Sequence, residues 1–124
     1  MDPTLLAVVF LAVMAVALGC FVLAWRHRRV TPRHVRFAVA GTLVDLTGTV
    51  VVLLTHRVLG WQVPAHDATV ALVHRTCAYA VTALLLVQAV GGARRWPIHK
   101  RLGLPFLVLY AVTYALAVVA YAPR

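Results

Sequence analysis

Acidic residues are nearly absent from this chain: Asp2, Asp45 and Asp67 stand alone against twelve lysines and arginines. Cysteine is as sparse. Cys20 and Cys77 each lie inside an apolar run, so a disulfide framework is not expected. There is no C-x-x-C, no H-E-x-x-H, no glycine-rich phosphate loop and no nucleophile triad, which argues against a hydrolase or a transferase. Low-complexity segments and linkers are also missing, so the expectation is one domain over residues 1–124.

What the chain does contain is apolar surface. Of its 124 residues 63% are hydrophobic, with a mean hydropathy of +0.90, where soluble domains run at about 45–50%. The net charge of +9 would suggest nucleic acid in a soluble protein. Here the basic residues sit in short loops between apolar runs, so they are read as topology signals, and no nucleic-acid partner is expected.

Four apolar runs are long enough to cross a bilayer, which takes about 20 residues. They fall at about 4–25, 35–57, 68–92 and 102–121. The first has its arginines after the apolar stretch rather than before it, which reads as a span and not as a signal peptide. It has no polar residue between Thr4 and Cys20 and is expected to be the helix most exposed to lipid. Gly60 and Pro64 break the chain after the second run, with Trp61 as an interfacial anchor. Short loops give an all-α integral membrane bundle of four helices, up-down-up-down. Arg26, Arg28, Arg29, Arg33, Arg36, Arg94, Arg95, Lys100 and Arg101 flank the first and third loops, against Arg57, Arg75 and Arg124 elsewhere. That bias is expected to place loops 26–34 and 93–101 in the cytoplasm and both termini outside.

The second run organises the rest. His34, Gly41, Asp45, Gly48, Val52 and His56 fall within about 40° of one line down a helix. An ionisable side chain at membrane depth costs roughly 2.5–3.5 kcal/mol on insertion scales, so this stripe must face inward. In the fourth run His99, Phe106, Tyr110, Thr113, Ala117 and Tyr121 repeat its spacing, which sets Tyr110 opposite Asp45. The pair is either a polar clasp between helices or a proton or quinone contact. An echo at an offset of 65 residues, P-x-H-x-R at 32–36 and 97–101, suggests two similar helical hairpins. Alternatively, short basic loops with a helix-starting proline need no common origin.

His34 and His99 should lie at equal depth at helix N-termini, with Arg36 and Arg101 as anion contacts; interfacial anchoring is the plainer alternative. His74 lies two turns into the third run, on a stripe with Ala78, Val81, Leu85, Gln88 and Gly92, and needs a hydrogen bond, a metal or a haem iron. His56 is its candidate metal partner, offset by roughly 9 Å in depth, and His66 in the outer loop could substitute. Gly41, Gly48, Gly91 and Gly92 permit close helix approach.

V-H-R at 73–75, Gln88, G-A-R-R at 92–95, H-K-R-L-G at 99–103 and L-Y-x-x-T at 109–113 give the second half a further reading. This half resembles small four-helix bacterial membrane proteins of two kinds. One is the maturation proteins for haem-copper oxidases, whose histidines recur at the start of the second helix, within the third and at the start of the fourth, as His34, His74 and His99 do. The other is the four-helix b-type cytochromes related to ascorbate-reducible cytochrome b, which hold haem between paired histidines. Of the histidines here only His34 and His99 are matched in depth, so the resemblance does not extend to a second haem pair.

The resemblance implies haem b or copper held by His74, His34 and His99, and a role in respiratory electron transfer or oxidase assembly. Partners would be the bilayer and a larger membrane complex or a second copy. The other readings are a cofactor-free accessory subunit and a small proton or ion transporter using Asp45.

Overall fold

The computed structural model describes residues 2–123. Among them the regular structure is entirely helical: α1 Pro3–Arg26, α2 Thr31–Arg57, α3 Ala68–Ala93 and α4 Pro97–Tyr121. Each helix is long and apolar enough to cross a membrane. Exposed valines and leucines cover the outside, among them Leu43, Val50, Leu54, Leu72, Leu86 and Val108.

The helix starts explain two of the three aspartates. Asp2 caps α1 by accepting from the Thr4 amide at 2.9 Å. Asp67 caps α3 by accepting from the Thr69 and Val70 amides at 2.8 and 3.0 Å, so free first-turn donors are satisfied. Neither α2 nor α4 has a side-chain cap; each carries a proline in its first turn instead, where the fixed φ suits a helix and no N–H is lost. Those prolines carry α2 and α4 about one turn beyond the apolar runs expected at 35 and 102, so His34 and His99 lie within first turns. Arg95, with φ 55, turns the chain between α3 and α4.

α1 packs along α2 and α3 along α4, and the two hairpins meet mainly through α1 and α4; of the neighbouring pairs α2 and α3 touch least. The core is Ala17 and Phe21 of α1, Val81 and Leu85 of α3, and Phe106 and Tyr110 of α4. Phe21 stands edge-on to Phe106 and Tyr110, with centroids 5.0 and 5.2 Å away, the arrangement that aromatic quadrupoles favour.

The expectation that α1 is the most exposed helix is wrong. α2 is, with only Gly41 and Thr55 buried, while α1 buries Leu6, Ala7, Ala17, Phe21 and Ala24. α1 has a neighbour on each side, and its seam is apolar, so no polar residue marks it in the sequence.

Candidate functional site: two histidine compartments and a polar clasp

Three histidines are held in one way. His34 Nδ1 lies 2.9 Å from the Ala24 carbonyl oxygen, His74 Nδ1 3.0 Å from that of Thr113, and His99 Nδ1 3.0 Å from that of Gln88. A carbonyl only accepts, so in His34 and His74 Nδ1 carries the proton and Nε2 keeps its lone pair, whereas His99 Nδ1 also lies 3.0 Å from the Gln88 side-chain nitrogen. No Nε2 of the three has a hydrogen-bond partner among the described residues. None is a buried orphan either, so all three reach open space. Backbone pinning of Nδ1 is the arrangement that orients a ligand histidine.

His34 and His99 meet at one end of the bundle, with rings 68° apart in plane and centroids 5.9 Å apart. They share a pocket of about 90 Å³ with Trp25, Gln88, Gly103 and Phe106. The Gln88 carboxamide fits with its nitrogen 3.1 Å from the His99 carbonyl oxygen and its oxygen 3.0 Å from the Gly103 amide. Arg36 and Arg101 are exposed beside this end.

Asp45 and Tyr110 meet in the middle: the Tyr110 hydroxyl donates to Asp45 Oδ1 at 2.5 Å. Tyr110 is 1% exposed. Both this pair and the histidine pair are separated by 65 residues, so the two hairpins present equivalent positions to each other. Among the described residues no other side-chain hydrogen bond joins α1 or α2 to α3 or α4.

Beyond the clasp a larger cleft of about 330 Å³ opens where α2 and α3 stand apart. Asp45, His56, Trp61, His74, Arg75 and Tyr110 line it, within an otherwise apolar wall. His74 is half-buried, its ring 5.7 Å from that of Tyr121, and His56 is exposed at the rim. The outer third of the α2 stripe, Val52 and His56, faces this opening rather than the packed core. His66 is engaged elsewhere: its amide and its Nε2 bond to the Ala120 and Ala122 carbonyl oxygens at 2.9 and 2.7 Å. Among the described residues no three of His, Cys, Asp and Glu converge as a metal centre.

Two lining residues escaped the sequence reading as site members. Arg75 entered the sequence reading as a charge away from the basic loops and as the last residue of V-H-R at 73–75, not as a site member. Phe21, which separates the two compartments together with Phe106 and Leu85, sits in a uniformly apolar helix that offers no pattern to read.

Comparison with protein families, with curated proteins and with solved structures returned no match for this chain.

Proposed function

We propose that the chain is a multi-pass membrane protein that binds haem b through His74 and serves respiratory electron transfer or the assembly of a respiratory oxidase. One observation carries the reading: His74 lines an apolar cleft with its Nδ1 proton given to a helix carbonyl and its Nε2 lone pair free. That is the state in which an imidazole can give its lone pair to a metal, so His74 would hold the haem iron. Arg75 on the same wall offers a cation for a propionate. When bound, haem would supply a one-electron couple. His34 and His99 share about 90 Å³, too little for a macrocycle; the cleft of about 330 Å³, open toward α2 and α3, lies within the usual range of ligand sites, about 300–1,000 Å³.

Haem added to the purified protein is expected to give a shifted Soret band, and His74→Ala to weaken haem binding at least tenfold. A spectrum that stays that of free haem, or one indifferent to His74→Ala, would overturn the reading. The exposed face of α2, with two buried residues in its length, favours a second reading: an accessory subunit whose open helix packs in a larger complex. A colourless preparation that co-purifies with an oxidase would favour it.

The proposed topology is up-down-up-down in a bacterial cytoplasmic membrane, with both termini outside and loops 26–34 and 93–101 in the cytoplasm. Its support is the concentration of basic residues near those two loops. In a variant lacking Cys20 and Cys77, Ala65→Cys should react with an impermeant maleimide on intact cells and Arg29→Cys should not. The reverse labelling would invert the topology.

A further inference from the structure

The loop between α2 and α3, residues 58–67, has no regular structure, yet it is moored at both edges. At the α2 edge the Leu59 amide donates to the Leu54 carbonyl oxygen at 3.3 Å and the Trp61 amide to that of Thr55 at 3.0 Å. Gly60 turns the chain between them at φ 65, a conformation that costs glycine little. At the other edge the His66 amide donates to the Ala120 carbonyl oxygen at 2.9 Å and the His66 ring to that of Ala122 at 2.7 Å. A carbonyl only accepts, so Nε2 of His66 carries the proton. The last carbonyls of a helix have no partner within it, which is why the end of α4 takes a donor from another segment. The next residue, Asp67, caps α3, so consecutive residues tie the start of α3 to the end of α4.

These moorings carry the loop from α2 to α3, the two helices that stand apart at the cleft. Trp61 and Val63 line the cleft, and Val63 is the one residue of 58–67 that is not exposed. Tyr121 lines it too. It lies between the two residues whose carbonyls His66 engages, and its ring stands edge-on to His74 at 5.7 Å. Among the described residues none of 62–65 has a backbone hydrogen bond, so the stretch between the moorings depends on its two ends. We infer that residues 58–67 form a latched roof that shuts the cleft to water at this end of the bundle. Trp61 and Val63 close the mouth, and His66 is the latch.

His66 does not itself line the cleft. It is a positioning residue, acting through the loop and through Tyr121. A segment with an exposed backbone and few hydrogen bonds is the part of a fold that opens most easily, so the roof can lift while the helices stay packed. Loss of one ordinary hydrogen bond shifts such an equilibrium by about two- to tenfold. The inference concerns access alone and holds for any guest of the cleft.

The test is the labelling rate of a cysteine inside the cleft, Ala78→Cys, in the full chain lacking Cys20 and Cys77 and held in lipid nanodiscs. Two reagents are compared: a permanently charged, water-soluble methanethiosulfonate and a neutral, lipid-soluble maleimide. The charged reagent is expected to react about tenfold more slowly at Ala78→Cys than at Ala65→Cys in the exposed loop. His66→Ala should speed it at Ala78→Cys by about two- to tenfold, and Trp61→Ala should speed it as well. His66→Gln keeps a side-chain N–H donor and should stay close to the parent. The neutral reagent should react at one rate in all of these variants, which also reports that the helices keep their packing. No haem enters the assay, so this inference and the haem reading fail independently. A charged reagent that labels both positions equally fast, or that is indifferent to His66→Ala and Trp61→Ala, would overturn the roof. So would an equal acceleration of both reagents, the mark of a loosened bundle. His66→Gln as open as His66→Ala would overturn the latch.

Discussion

Tyr110→Ala is expected to destabilise the bundle by about 3–5 kcal/mol, the usual cost of truncating a buried aromatic, and Tyr110→Phe by only about 1–2 kcal/mol. The two substitutions separate two roles of one residue. The Tyr110 ring is 1% exposed and packs against Phe21 and Phe106 at the centre of the molecule. Alanine there leaves a hole that three different helices would have to fill. Phenylalanine keeps the ring and removes only the donor to Asp45, the one side-chain hydrogen bond between the hairpins among the described residues. Deleting that donor leaves a carboxyl oxygen at mid-bundle with no other recorded partner, which is where the smaller loss arises. Asp45→Asn retains an acceptor oxygen and should lose less than Asp45→Leu. Reversible unfolding in mixed micelles would measure all four. An unchanged stability for Tyr110→Phe would sink the clasp, and equal losses for phenylalanine and alanine would remove the packing role.

Gly41→Val comes next in expected size, at about 1–3 kcal/mol or more, because an overpacked site must move side chains or backbone. A Cβ at Gly41 would sit 2.8 and 2.9 Å from Phe21 Cε1 and Cδ1, and 3.1 Å from Cys20 Cβ. The Phe21 ring cannot retreat, since Phe106 and Tyr110 already hold it edge-on. The Cys20 Cβ is tied directly to the main chain of α1. Two other glycines calibrate the effect. At Gly48 the close atom is Val13 Cγ1 at 2.8 Å, and β-branching holds a helical valine to one χ1 rotamer, so alanine there should also be costly. Gly19 has nothing within 4 Å, and Gly19→Ala should be neutral or stabilise by about 0.5–1 kcal/mol through helix preference. If Gly41 and Gly19 tolerated alanine alike, the tight approach of α1 to α2 would be refuted.

Much of this arrangement could be read from the chain because the interior of a membrane protein is marked by the few polar groups that lipid rejects. The stripe from His99 to Tyr121 on α4 faces inward, with Phe106, Tyr110, Thr113 and Ala117 all buried. Asp45 and Tyr110 share a level because their helices begin with the same proline–histidine spacing. Where that marking is missing, sequence reasoning had nothing to use. α1 is apolar on every side, so neither its central position nor Phe21 as the divider between compartments left a trace. The cleft was hidden for another reason: it arises because α2 and α3 touch less than α1 and α4 do, a departure from the symmetry of the two hairpins that a residue pattern does not encode. The carbonyl partners of His34, His74 and His99 were out of reach too, since any residue type supplies a main-chain oxygen.

The gap between α2 and α3 also bears on how a guest would arrive. An opening lined by Val52, Leu53 and Tyr79, all exposed, would in a membrane-embedded bundle face acyl chains rather than the aqueous phase. Occupancy of such a chamber follows the mole fraction of a compound dissolved in the surrounding lipid. Dilution with detergent would therefore strip it as effectively as a competitor, whatever the concentration in the buffer.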